Sequence, residues 1–245
     1  MARSHLVLDV ETVLDPELPI AEGGEVERLP APPHHQIVVI GVLWFDADYK
    51  VSRLGIIGEG KDEATTLRDY ARFLEERKPE LVTYNGRGFD LPVIAARCLR
   101  HGVPLRHYYR SRDIRFRYSA DGHLDLMDYV ADIGAAKTSR LDVIAKLCGM
   151  PGKVGISGAE VGPLVHAGRI EEVRNYCLCD VVQTAAVFYR VELLRGQLTK
   201  EQYQECMRAL IALIKSDERL RPVATGMNEA RLLLEPAAAP TPSPS

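Results

Sequence analysis

LVLDVET, residues 6–12, is the stretch on which the fold turns. With His5 before it, HLVLDV (5–10) makes a short β-rich run whose Leu6, Val7, Leu8 and Val10 read as a buried strand. Two acids interrupt it. Asp9 and Glu11 stand two apart, so on a strand their side chains leave the same face. An unpaired carboxylate in such surroundings is costly, and a cation bound between acids is one reason to keep it. Alone, a D-x-E pair is a weak signal, because most such pairs face solvent.

After this run comes a polar, Pro-rich excursion, Asp15 to Gln36, which reads as an irregular surface loop. QIVVIGVLWF (36–45) and VSRLGIIG (51–58) read as two strands around the turn at Asp46–Asp48, completing an antiparallel meander with the first run. Residues 61–77 carry Leu67, Tyr70, Ala71 and Leu74 at the spacing of an amphipathic helix. LVTYN (81–85) is a strand, and 90–101 a helix that tolerates Pro92 in its first turn. HLDLMDYVAD (123–132) reads as a helix or a strand-to-helix junction. Residues 138–149 form a short helix capped by Thr138 or Ser139 and stopped at Gly149. From Ile170 to Leu194 the apolar spacing supports one long helix, and 199–215 another. The expected architecture is α/β: one domain over residues 1–220, a central mixed β-sheet with helices, and a C-terminal extension, 221–245. Its last part, EPAAAPTPSPS, is low-complexity and expected to be disordered.

Composition narrows the classes. At 245 residues and 46% apolar the chain can bury a substantial core. A net charge of −3 argues against a generic polyanion binder, so any nucleic-acid contact must use a local basic surface. The five cysteines are odd in number and scattered, without zinc-site spacing, and read as ordinary small buried residues of a reduced, cytoplasmic protein. With no leader and no run of the roughly 20 apolar residues a span needs, no membrane association is expected.

Two further acids join Asp9 and Glu11. Asp90, in VTYNGRGFD (82–90), follows a strand and a turn at a helix start, where an N-cap would be its plain structural explanation. Asp180, in NYCLCDVVQT (175–184), shares a helix face with Tyr176 four residues earlier, among apolar neighbours that place it against a core. Hard carboxylate oxygens suit Mg²⁺ or Mn²⁺, and no His or Cys pattern favours zinc.

In order and spacing, D-x-E on a strand, N-x-x-x-F-D after a strand and Y-x-x-x-D on a helix resemble the three motifs of the DEDDy 3′–5′ exonucleases. YNGRGFDLPVI is similar to the second motif of the proofreading domains of family-B DNA polymerases. HLDL (123–126), SRLDVIAKLCG (139–149) and Lys153 resemble the segment those domains carry before the third. The chain looks like a stand-alone relative of that proofreading domain over roughly residues 5–195. The resemblance implies an RNase H-like fold, with Asp9, Glu11, Asp90 and Asp180 holding two divalent cations and Tyr176 positioning the attacking water. It further implies substrate contacts from Asn85 and Phe89 and a backbone contact from Thr12, although core packing would also explain Phe89. Two ions roughly 3.5–4 Å apart can clamp a phosphodiester, with Asp9 the natural bridge between them.

The implied activity is release of nucleoside monophosphates from a 3′ end. Single-stranded DNA is favoured by the analogy; RNA, or a non-catalytic nucleic-acid-binding subunit, stays open. Residues 97–118 concentrate seven arginines and two histidines among aromatics, against one acid, and read as a track for a single strand. His34 and His35 read as a solvated pair, and Asp125 and Asp128 as capping or packing residues. Protein partners cannot be read from the sequence.

Overall fold

The computed structural model describes residues 3–18 and 30–236. Its five strands, β1 (His5–Leu14), β2 (His35–Phe45), β3 (Val51–Ile56), β4 (Glu80–Thr83) and β5 (His123–Asp125), form one mixed sheet in the order β3-β2-β1-β4-β5. The first three make the expected antiparallel meander, while β1–β4 and β4–β5 are parallel. β1 runs on past its apolar segment because Glu11–Leu14 still pair with β2. β4 reaches only His5–Val7. Beyond Val7, therefore, no strand among the described residues covers that edge of β1, and this is where the acids gather.

The helices are α1 (Glu63–Arg77), α2 (Asp90–His101), α3 (Arg106–Arg110), α4 (Arg112–Arg115), α5 (Leu126–Val130), α6 (Leu141–Cys148), α7 (Gly158–His166), α8 (Ile170–Leu194), α9 (Lys200–Ser216), α10 (Arg221–Gly226) and α11 (Glu229–Leu232). Alternation along β1 divides the core. Leu6, Leu8 and Val10 pack with Leu67, Leu74, Val93 and Ile94 of α1 and α2 on one face. Val7 packs with Leu43, Phe45 and Val82 against Val181, Val182, Ala185 and Phe188 of α8 on the other. Behind α8 lie Tyr203, Met207 and Leu210 of α9, with Val223 and Leu232 of α10 and α11 in the same core. A helix covered on so many sides is apolar around most of its circumference. None of the helices among the described residues is long and apolar enough to cross a membrane.

Local departures from the sequence reading have physical causes. The helix expected from Thr138 or Ser139 starts at Leu141, with Arg140 in the cap position and no side-chain cap; the Ser139 carbonyl instead accepts a 2.6 Å hydrogen bond from the Tyr84 hydroxyl. α7 was not expected, because Gly158, Gly162 and Pro163 lower its intrinsic propensity. Its readable signal is a capping box: the Ser157 amide donates to the Glu160 carboxylate at 2.8 Å. Half of the Pro-rich loop, residues 19–29, and the low-complexity end, 237–245, lie outside the described residues.

Candidate functional site

Three elements bring the four acids together. Asp9 and Glu11 project from β1 toward α8, whose close approach is set by Gly41, the β2 residue opposite Asp9. A Cβ there would lie 2.6 Å from Cys177 Sγ and 3.1 Å from Val181 Cγ2. Asp90 opens α2 as its first helical residue, with Phe89 in the cap position. Its carboxylate does not cap the helix in the way anticipated but accepts the Val10 amide at 3.0 Å, at the edge of β1 that β4 leaves free. The turn before it is tight: Asn85 has φ 68°, and a Cβ on Gly86 would meet Thr83 Oγ1 at 2.4 Å. Asp180 and Tyr176 face the same place from α8, one turn apart.

The arrangement is electrostatically frustrated. Burial raises Asp9 and Glu11 well above the usual carboxylate range, and the neighbouring acids raise them further. Burial likewise lifts Asp90 to about 7, against the pull of the Val10 amide, and Asp180 to about 6, against the Tyr176 hydroxyl and Gln183 amide beside it. Elsewhere the same chain pairs three acids of buried side chain with arginine: Asp15 and Glu63 with Arg97 at 2.5 and 2.7 Å, and Glu192 with Arg195 at 2.5 Å. None of the four clustered acids has a cationic partner among the described residues. Such a donor set fits a hard divalent cation.

Cys177 also belongs here, a contact the sequence did not announce. A ligand atom from each of Asp9, Glu11 and Cys177 lies within 4.8 Å of the other two. The Cys177 thiol donates to Asp9 Oδ2 at 3.3 Å, and burial, with Asp9 and Glu11 next, raises its pKa well above the usual thiol value. It therefore stays protonated. Cys179 points elsewhere, to the Arg219 carbonyl, so the C-x-C is no paired metal site.

The other residues singled out from the sequence fall into place unevenly. Thr12 is half-buried, its Oγ1 2.9 Å from His35 Nδ1. Asn85 and Phe89 are half-buried on the turn before α2, and Phe89 meets the His35 ring edge-on at 5.0 Å between centroids. The two histidines are not a solvated pair. His35, the first residue of β2, is 3% exposed, held by Thr12, the Pro30 carbonyl and the Phe89 ring, while His34 reaches the Leu18 carbonyl at 2.8 Å. Asp125 caps α5 and holds the Asn85 and Arg87 amides at 3.0 and 2.8 Å, and Asp128 pairs with Arg117 at 2.6 Å. Of the seven arginines in 97–118, Arg97, Arg100 and Arg117 are engaged in ion pairs. Arg106, Arg110, Arg112 and Arg115 remain exposed, with Arg112 against Phe116 and Arg115 against Tyr109. Beside the acids, a cleft of about 330 Å³ is lined by Arg140, Asp142, Lys153, Tyr176, Asp180 and Gln183.

The mixed five-stranded sheet with helices packed on it is an RNase H-like fold. The chain belongs to the family of predicted 3′–5′ exonucleases related to the exonuclease domain of PolB, whose model matches residues 29–227. That match begins beyond β1, so Asp9 and Glu11 stand on the geometry above. The family B DNA polymerase from the hyperthermophilic archaeon Pyrobaculum calidifontis is similar with a TM-score of 0.54 and 24% identity, over 95% of this chain and 28% of the polymerase. The zinc-bound E. coli ExoI–ssDNA complex gives a TM-score of 0.37 and 15% identity, over 75% of this chain and 43% of that one. No curated protein is significantly similar.

Proposed function

We propose that the protein is a metal-dependent 3′–5′ exonuclease that hydrolyses phosphodiester bonds from the 3′ end of single-stranded DNA and releases nucleoside monophosphates. The observation that carries this reading is the convergence of Asp9, Glu11, Asp90 and Asp180 without a cationic partner among the described residues. Those carboxylates would hold two Mg²⁺ or Mn²⁺ ions, which when bound supply the charge that activates water and offsets the leaving 3′ oxygen.

The remaining roles belong to the chain's own side chains. Tyr176 is surrounded by burial and by Asp180 and Glu11, which together push its pKa upward. It stays a phenol at neutral pH and serves as a hydrogen-bond donor that aims the attacking water, not as a base. Lys153, across the cleft from Tyr176 and Asp180, offers an ammonium to the scissile phosphate. Asn85, Phe89 and Thr12 would flank the terminal nucleotide, and Arg106, Arg110, Arg112 and Arg115 with Tyr109 and Phe116 offer an exposed surface for the strand. The five free, buried cysteines suit a reducing compartment, and we place the protein in the cytoplasm.

The test is mononucleotide release from end-labelled single-stranded DNA and from RNA of the same sequence, with Mn²⁺ and with EDTA. Stepwise 3′ shortening of DNA that EDTA abolishes is the expected result, accompanied by a saturable rise in Tm on adding Mn²⁺. Cleavage of RNA alone would reassign the polymer. Binding without cleavage, with no Tm response to Mn²⁺, would make the protein a binding subunit. Tyr176→Phe should lower kcat by about ten- to thousandfold, or about 1.4–4 kcal/mol of transition-state stabilisation, with metal-induced stabilisation preserved. Loss of the Mn²⁺ Tm shift in this variant would show that the tyrosine shapes the metal site instead of aiming water.

A further inference from the structure

His35 is a buried polar group that the proposed chemistry leaves unused. Its Nε2 lies 3.0 Å from the Pro30 carbonyl and its Nδ1 2.9 Å from Thr12 Oγ1. A carbonyl oxygen only accepts, so Nε2 must carry the hydrogen. Burial lowers the pKa of His35, which keeps the ring neutral, and Nδ1 then presents a bare lone pair. The Thr12 hydroxyl must donate its single proton inward to that nitrogen. Outward it has only lone pairs, and no group among the described residues donates to them.

Thr12 follows Glu11 directly in β1, on the α1–α2 face that it shares with Ile37 and Val10, whose amide Asp90 accepts. Glu11 is opposite Val39 and Thr12 opposite Ile37, so Val38 is an extra residue that bulges β2 and re-aims β1 just past Glu11. His35, two residues beyond Ile37, is the diagonal cross-strand neighbour of Thr12 on the same face. The same imidazole braces Phe89 edge-on, beside Asp90. One side chain therefore orients both an apolar ring and a hydroxyl of fixed polarity at the margin of the site.

We infer that His35 is a positioning residue: it locks Thr12 as a one-way hydrogen-bond acceptor and thereby makes the site favour strand ends that carry a free 3′-hydroxyl. The chemistry is that of a donor meeting an acceptor-only oxygen. An end lacking the hydroxyl gains nothing there, and a terminal phosphate brings oxygens with no proton to give. The inference rests on the exonuclease reading for where the 3′ end lies.

The test is binding, measured by fluorescence anisotropy in Ca²⁺, of one single-stranded DNA sequence ending in a 3′-hydroxyl, a dideoxy sugar or a 3′-phosphate. Wild-type protein should bind the hydroxyl end about five- to tenfold more tightly than the dideoxy end, and the phosphate end more weakly still. Thr12→Val and His35→Phe should both reduce the hydroxyl-to-dideoxy ratio to below about twofold. His35→Gln should preserve it, because an amide can accept from Thr12 while donating to Pro30. A merely structural His35 would weaken all three ligands together and leave the ratio intact in His35→Phe, which would overturn the inference. An end-blind wild type would also overturn it. The two readings fail separately: end preference without cleavage defeats the hydrolase and spares the role of His35, whereas cleavage with an end-blind ratio does the reverse.

Discussion

Asp180→Asn is expected to abolish nucleotide release, by at least about 10⁴-fold, and at the same time to make the metal-free protein harder to melt. The two effects have one origin. Asp180 is held among apolar residues of α8, and its carboxyl is raised to about 6 by burial, with Asp142 adding to the rise. An ionised carboxylate there disfavours folding until a cation offsets it. Asparagine keeps the shape and the contact from Gln183, at 3.4 Å in the wild type, but removes the charge. A gain of about 1 kcal/mol corresponds to roughly 2–4 °C in Tm for a chain of this size. The Mn²⁺-induced rise in Tm should shrink in the same variant, since one ligand is gone. Thermal melts in EDTA and in Mn²⁺, beside single-turnover cleavage, read all three. Activity within tenfold of wild type would end the claim that Asp180 holds a cation. An unchanged EDTA melt would instead show that the cluster is relaxed without metal.

How much of this was legible in the chain depends on the range of each interaction. Asp9 and Glu11 sharing a face follows from the two-residue period of a strand, and Tyr176 facing with Asp180 follows from the helical turn. Both are local rules, and both are met. The long α8 was legible for the same reason. What decides Arg97, by contrast, is Asp15, 82 residues away, and Glu63, 34 away. No local pattern separates that buried arginine from exposed Arg106 or Arg110, so the basic run read as one exposed track although Arg97 lies buried in an ion pair. His35 was misjudged because its neighbours in sequence are polar and proline-rich, while the groups it packs on, Thr12 and Phe89, are distant in sequence. Cys177 read as a small filler, which it is by size. Only the approach of α8 to Gly41 turns its thiol onto Asp9.

Arg97→Met should cost the fold about 3–5 kcal/mol at pH 7.5, because it takes the principal cationic partner from two buried carboxylates. The Arg97 guanidinium grips Glu63 through two hydrogen bonds of 2.7 Å and Asp15 through a third of 2.5 Å, with all three side chains nearly excluded from solvent. It thereby ties the end of β1 to α1 and α2. The Arg97 contact holds Asp15 below the usual carboxylate pKa. Burial would push Glu63 up, but hydrogen bonds from Arg97, His101 and the Ile37 amide outweigh it and keep it low. In the wild type, then, these groups stabilise the fold fully above their unfolded pKa values of about 4, and that contribution is lost as pH falls through their lower folded values. Removing Arg97 reverses the sign at Glu63. Burial is the largest influence on Glu63, so Glu63 should titrate higher in the folded variant than in its unfolded chain, while Asp15 keeps the Glu17 amide and Arg100; the variant therefore gains stability as pH falls from 7.5 toward 4.8. Urea unfolding at those two pH values should show the gap between wild type and variant closing by about half or more. Arg97→Lys should recover little of it, since one ammonium cannot replace a planar fork that reaches two acids. A loss below about 1 kcal/mol with weakened oligonucleotide binding would return Arg97 to the nucleic-acid surface. A gap equal at both pH values would mean that its packing, not its charge, holds β1 in place.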